Sequence, residues 1–155
     1  RFQRGALVGL TRGSGRAEIC RAALESVAYQ TRDLMGAMRA DMGPRATLST
    51  IRVDGGMVAN DWVMQFLADQ LGLEVDRPRV TETTAWGAAA LAGLGAGVFG
   101  SIEDVARARQ ADRLFKPQGE RAANDKLYAA WCDAVARVRS DFGAKGARKG
   151  LGGKR

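Results

Sequence analysis

One junction in the sequence combines residue types that can hold a phosphate or a nucleotide. The apolar stretch 48–53 (LSTIRV) ends at Asp54-Gly55-Gly56, and a helical pattern begins after Asn60. Two adjacent glycines permit a sharp turn and leave the backbone open to a ligand. The start of the helix offers unpaired amides and the positive end of its dipole. The junction is therefore a candidate binding site.

The same residues also suit a purely structural role. A glycine pair after a strand commonly forms a plain turn, and asparagine is among the best helix N-caps. Asp54 can orient the turn or contribute to a metal site, and the turn role is favoured. The residue types alone leave binding and structure as open alternatives.

Apart from this candidate binding site, these 155 residues contain few of the residue combinations that form catalytic or metal sites. There is no histidine, which removes Ser-His and Cys-His catalysis and histidine metal sites. Cys20 and Cys132 lie far apart without metal-ligand spacing, and we expect both to be reduced and buried. The loop 12–15 (RGSG) lacks the Lys-Ser/Thr ending of a phosphate-binding loop. Glu25 and Asp33 lie in a helical pattern, where carboxylates are usually solvated or paired.

The net charge of +7 is concentrated at one end of the chain. Residues 139–155 hold six basic residues and one acid, and the rest is nearly balanced. We expect residues 143–155 to form a disordered basic tail and not a nucleic-acid surface. The chain begins without methionine or a signal sequence, so we expect it to start within a longer protein. No stretch has the character of a membrane span.

Hydrophobic periodicity predicts strands that alternate with helices. Glycine, proline and capping residues separate the segments, so the pattern favours an α/β layer fold of one domain over residues 1–142. Trp62, Trp86 and Trp131 are assigned to the core faces of their helices. Strands are predicted at 5–11, 48–53 and 73–75, with 5–11 and 48–53 as neighbours in one sheet, and helices at 17–42, 61–72, 85–95, 102–109 and 122–142; the segment around 115–117 is predicted to be a loop.

Several of these segments resemble the FGGY family of carbohydrate kinases. The family's second signature is an apolar strand, a spacer and a helix that ends in an acid, and it is matched by residues 5–10 (GALVGL), 11–17 and 18–25 (EICRAALE). The resemblance covers residues 4–142. The chain is most similar to members that phosphorylate glycerol at 9–13 (GLTRG), 24–33 (LESVAYQTRD), 52–56 (RVDGG), 64–69 (MQFLAD) and 84–94 (TAWGAAALAGL).

The resemblance implies a partial ribonuclease-H-like, actin-like ATPase domain with a mixed sheet and packed helices. It implies that Gly56 and Asn60 contact ATP or ADP, with Gly55 as an additional candidate. It further implies Mg²⁺-ATP and glycerol as ligands of a complete, cytoplasmic, homo-oligomeric enzyme. The family's catalytic aspartate and glycerol pocket precede this segment, so no catalytic or metal-binding residue is assigned here.

Three alternatives remain at this stage. The chain could belong to another sugar kinase of the same family, such as a xylulokinase. It could be a non-catalytic actin-like nucleotide-binding module, or a basic nucleic-acid binder, which the location of the charge argues against. The segment 118–125 (QGERAAND) does not resemble the sequence through which some bacterial relatives bind a phosphotransferase-system regulator, so that partner is not expected.

Overall fold

A computed structural model describes residues 5–43 and 48–147, in which helices alternate with the strands of one small sheet. The predicted α/β class is confirmed. In chain order the elements are α1 Arg16–Met42, β1 Thr50–Arg52, a 3₁₀ helix Gly56–Ala59, α2 Asp61–Leu71, β2 Glu74–Pro78, α3 Thr83–Gly95, α4 Ile102–Ala108, β3 Ala111–Phe115 and α5 Arg121–Ala147.

The sheet has the order β1-β2-β3 and is mixed. β1 runs parallel to β2 with Ile51 opposite Val75, and β3 runs antiparallel to β2 with Phe115 opposite Val75. Because β1 and β2 are parallel, α2 serves as the crossover between them. The carboxyl ends of β1 and β2 therefore lie at the same edge of the sheet.

The core lies between this sheet and helices α1 and α2. Leu67 and Ala68 of α2 are almost fully buried, as are Val75 of β2 and Phe115 of β3. Helix α1 contributes Ala28 and Met35 to the same cluster. Helix α2 thus packs against both α1 and the sheet, which fixes its axis relative to β1.

Local capping explains several of the helix boundaries. The Glu18 carboxylate accepts a hydrogen bond from the Gly15 amide at 2.8 Å, which starts α1. Gly43 ends α1 with a φ of 74°, which an L side chain rarely adopts. The Ser101 hydroxyl accepts from the Asp104 amide at 3.2 Å and caps α4. These signals are all carried by residues close in sequence.

The predicted strand at residues 5–11 is wrong. The segment is irregular, and its side chains Leu7, Val8 and Leu10 are more than half exposed. A strand is stable only when a neighbour pairs with its backbone, and no strand lies beside this segment within the described residues. The neighbour of β1 is β2 and not residues 5–11.

Strand β3 is not among the predicted elements: the sequence predicts a loop around 115–117 and no strand at 111–115. Its sequence, ADRLF, carries no alternating apolar pattern that would indicate a strand. In the structure, four of its five side chains are exposed. Its place in the sheet comes from backbone pairing with β2 and from the ion pair of Arg77 with Asp112 at 2.7 Å. Both contacts join residues more than thirty positions apart.

Two further expectations about side chains need correction. Cys20 is exposed and Cys132 is half-buried, although neither forms a disulfide. Trp62 is 41% exposed, stacked on Phe66 at the helix surface and not enclosed in the core. Trp86 and Trp131 are half-buried.

Helix α5 continues to Ala147, five residues past the predicted domain end, and residues 148–155 of the predicted tail lie outside the described residues.

Candidate functional site

The candidate site is the turn formed by Asp54, Gly55 and Gly56, which we call the DGG turn. It follows β1 directly, at the edge of the sheet where β2 also ends. Gly55 has a φ of 87° and a ψ of 174°, a conformation that favours glycine. The turn then enters the 3₁₀ helix, where the Val58 amide donates to the Gly55 carbonyl at 3.2 Å. The buried side chain of Val58 anchors this short helix on the core.

Asn60 lies between the 3₁₀ helix and α2 and is the N-cap of α2, as the sequence predicts. Its side-chain oxygen accepts a hydrogen bond from the Val63 amide at 3.2 Å, while its own amide nitrogen in the backbone donates to the Met57 carbonyl at 3.1 Å. The cap uses only the oxygen end of the side chain. The NH₂ end of this exposed residue can donate to a ligand, so capping and binding are compatible.

The loop between β2 and α3 holds the DGG turn from one side. The Gly55 amide donates to the Thr81 carbonyl at 3.1 Å. The Thr83 hydroxyl donates to a carboxylate oxygen of Asp54. Asp54 therefore ties the turn to the first residue of α3, which supports the structural role that the sequence favours for it.

Arg77 of β2 holds the other end of the site. One guanidinium nitrogen, Nη1, donates to the Val58 carbonyl at 2.9 Å and to Asp61 Oδ1 at 2.7 Å. The hydrogen bond to Asp61 raises the pKa of Arg77 above its usual value, and Asp112 adds to this effect. The cation is therefore fixed beneath the 3₁₀ helix and the first turn of α2.

The backbone of the DGG turn is open to a ligand. A Cβ atom placed on Gly55 or on Gly56 would have no heavy atom within 4 Å. Gly56 and Asn60 are exposed, and the Met57 side chain is 48% exposed. A cleft of about 540 Å³ borders the turn and is lined in part by Val53 and Asp54. The residues present thus suit a flat or phosphate-bearing group that approaches the main chain closely.

The three predicted site residues lie in one short segment, 55–60, which runs from the DGG turn through the 3₁₀ helix to the N-cap of α2. It also adds Arg77, Thr81 and Thr83, which the sequence analysis did not select. Arg77 lies just past the predicted strand 73–75, and a single arginine at that position carries no local signal for a contact across the sheet.

The other polar residues considered from the sequence are engaged elsewhere. Glu25 pairs with Arg21 at 2.7 Å and accepts from the Tyr29 hydroxyl at 3.1 Å. Burial, together with the Glu25 charge, raises the pKa of Tyr29. Asp33 accepts from the Tyr128 hydroxyl.

Within residues 5–43 and 48–147, no group of three or more metal-ligating side chains comes together. In the same ranges, none of the helices is both long and apolar enough to span a membrane.

The architecture and the site define a class: an α/β domain with a glycine turn at the carboxyl edge of a mixed sheet. The chain matches the FGGY family of carbohydrate kinases, C-terminal domain, over residues 2–96, and it belongs to this family. That match confirms the resemblance drawn from the signature and the DGG turn. It also confirms the predicted ribonuclease-H-like, actin-like domain with a mixed sheet and packed helices.

Individual relatives agree with this assignment. A glycerol kinase of Rhodospirillum rubrum is 58% identical over 139 residues, which is 90% of this chain and 28% of the relative. The crystal structure of Plasmodium falciparum glycerol kinase with ADP aligns with a TM-score of 0.74 at 31% identity, over 88% of this chain and 27% of that one. The xylulose kinase of Rhodospirillum rubrum has a TM-score of 0.72 at 24% identity, over 92% and 29%, and shows the fold alone. The chain therefore spans a little over a quarter of the length of these relatives.

Proposed function

We propose that this chain is the carboxy-terminal part of an ATP-dependent glycerol kinase and forms one wall of its nucleotide site. The observation that carries the proposal is the 58% identity to a glycerol kinase over 90% of the chain. The xylulose kinase with the same fold reaches only 24% identity. This difference favours glycerol over a sugar as the substrate of the whole protein.

In this proposal the DGG turn and Asn60 hold the nucleotide. Gly56 and Gly55 admit the ligand to the main chain, because neither has a neighbour within 4 Å of a Cβ position. The side-chain NH₂ of Asn60 donates to the nucleotide while its oxygen keeps capping α2. ATP bound with Mg²⁺ would supply the phosphoryl group that is transferred to a glycerol hydroxyl.

The remaining catalytic groups belong to the rest of the parent protein. Phosphoryl transfer depends on positioning both substrates and on stabilising charge around the phosphates. The chain through the end of α5 at Ala147 would form most of the carboxy-terminal domain, followed by a short basic tail, in a cytoplasmic enzyme that assembles from identical subunits.

A pair of chimeras tests the proposal. In the first, residues 1–155 replace the matching part of the Rhodospirillum rubrum glycerol kinase; in the second, they replace the matching part of the xylulose kinase of the same organism. We expect glycerol-dependent ADP release from the first chimera and no sugar-dependent release from the second. A soluble but inactive first chimera would reject the proposal, and activity of the second alone would favour the xylulokinase alternative.

A further inference from the structure

We propose that Arg77 is a positioning residue of the nucleotide site, which fixes Asn60 relative to the sheet. The inference rests on the proposed function, because it assigns a role within that site. Arg77 is not itself placed in contact with the nucleotide.

The guanidinium of Arg77 joins both chain segments that flank Asn60. Its Nη1 donates to the Val58 carbonyl at 2.9 Å, two residues before Asn60, and to Asp61 Oδ1 at 2.7 Å, one residue after it. Its Nε donates to Asp112 Oδ2 at 2.8 Å on β3. A single planar group thus ties the end of the 3₁₀ helix and the start of α2 to two strands.

Three partners in different directions require the fork geometry of arginine. A lysine ammonium on a flexible stem can satisfy one or two of these acceptors, but it cannot hold all three in a fixed plane. The Arg77 side chain is only 12% exposed and lies over the Phe115 ring, 5.2 Å from its centroid. Packing on the ring limits its movement, so the hydrogen bonds keep their geometry.

Arg77 also compensates a charge that opposes nucleotide binding. The Asp61 carboxylate lies in the first turn of α2, immediately after Asn60, where it would repel an approaching phosphate. Arg77 and Arg113 both pair with this carboxylate. The site therefore keeps a favourable acid at the helix start without presenting an unpaired negative charge to the ligand.

Arg32 provides a matched control at the opposite end of α2. Its side chain is 16% exposed, it pairs with Asp125, and it donates to Gln70 Oε1 at 3.3 Å. Gln70 lies ten residues after Asn60 in the sequence, about 15 Å along the helix. Loss of Arg32 thus removes a comparably buried anchor of the same helix, far from the candidate site.

The test uses the active glycerol kinase chimera with the variants Arg77→Met, Arg77→Lys and Arg32→Met. We expect Arg77→Met to raise the KM for ATP about tenfold, the scale of one charge-assisted hydrogen bond, with the KM for glycerol unchanged. Arg77→Lys should give a smaller rise, and Arg32→Met should leave both constants unchanged. Titration of each variant with ADP measures binding without turnover. The dissociation constants for ADP should follow the same order, with Arg77→Met highest, Arg77→Lys next and Arg32→Met unchanged.

The outcomes separate the inference from the function on which it rests. An active unsubstituted chimera in which both Arg77 variants bind ATP and ADP normally would overturn the positioning role and leave the kinase proposal standing. An equal loss of ATP affinity in Arg32→Met would also overturn it, because the effect would then reflect general destabilisation. If Arg77→Met does not fold, the ADP affinity of Arg77→Lys decides. An inactive unsubstituted chimera would reject the function and the positioning role together.

Discussion

The side chain of Asn60 has two polar ends, and its complete removal cannot separate their roles. Its side-chain oxygen caps α2 by accepting from the Val63 amide, and its NH₂ group is the end that we assign to the nucleotide. A loss of binding in one variant could therefore arise from a frayed helix or from a missing contact. Two substitutions that treat the two ends differently resolve this.

We predict that Asn60→Ala and Asn60→Ser both raise the KM for ATP of the glycerol kinase chimera. Alanine removes the cap as well and should cost about 1 kcal/mol of stability. Serine caps about as well as asparagine, so it should leave stability nearly unchanged while removing the NH₂ donor. The measurements are steady-state kinetics and thermal unfolding of both variants. Wild-type ATP affinity in Asn60→Ser would restrict Asn60 to its capping role.

Gly56 tests the openness of the backbone. Unlike Gly55, it is not among the glycines with positive φ, and a Cβ placed there has no neighbour within 4 Å. We therefore predict that Gly56→Val folds normally but raises the KM for ATP, since the branched side chain occupies the space through which the nucleotide approaches. Unchanged ATP kinetics in a chimera with normal thermal unfolding would place the nucleotide elsewhere.

At the scale of elements, two glycines in helices should respond to alanine in opposite directions. Gly72 ends α2 with a φ of 64°, and its Cβ would lie 3.1 Å from Arg121 Nη1. Gly36 lies exposed inside α1 with no neighbour within 4 Å of a Cβ. We predict that Gly72→Ala destabilises the protein by about 1 kcal/mol or more, and that Gly36→Ala stabilises it by up to about 1 kcal/mol. Thermal unfolding of the two chimera variants provides the comparison, and a destabilised Gly36→Ala would contradict the second part.

The helices could be predicted from the sequence because their signals are local. The apolar period of α1, the Asn60 cap of α2 and the Ser101 cap of α4 each lie within a few residues of the boundary that they set. Strands depend on partners that are distant in sequence. For this reason β3 was missed despite its pairing with β2, while the apolar segment 5–11 was predicted as a strand but has no strand beside it in the described residues.

The same distinction applies to the candidate site. The junction 54–60 could be selected because a glycine pair between a strand and a helix is a local pattern, and the resemblance to the FGGY family then pointed to Gly56 and Asn60. The contacts that hold this turn come from Thr83, 29 residues from Asp54, and from Arg77, 16 residues from Asp61. Their roles depend on β2 lying beside β1, which residue types alone do not reveal. The positioning of the site was therefore beyond sequence reasoning.

At the scale of the whole molecule, much apolar surface remains uncovered in the described residues. β1 pairs with β2 on one side only, and the cleft of about 540 Å³ lies along β1, lined by side chains such as Ile51 and Met35. In α3 only Ala90 is buried, although the helix carries no polar side chain after Thr84, and Leu91 is 71% exposed. The glycerol kinase relative is more than three times as long as this chain. The exposed apolar surfaces are suited to contact with the additional part of a protein of that length.

We predict that residues 1–155 expressed alone neither phosphorylate glycerol nor remain monomeric. In the proposed function the chain supplies only one wall of the nucleotide site, so ATP would lack its opposing phosphate contacts and glycerol its pocket. The open edge of β1 and the exposed apolar side chains favour self-association. Light scattering and a glycerol-dependent ADP-release assay with Mg²⁺ test both parts. Turnover near that of an intact kinase would show that these residues include catalytic groups not assigned here, and a stable monomer would show that the chain covers its apolar surfaces by itself.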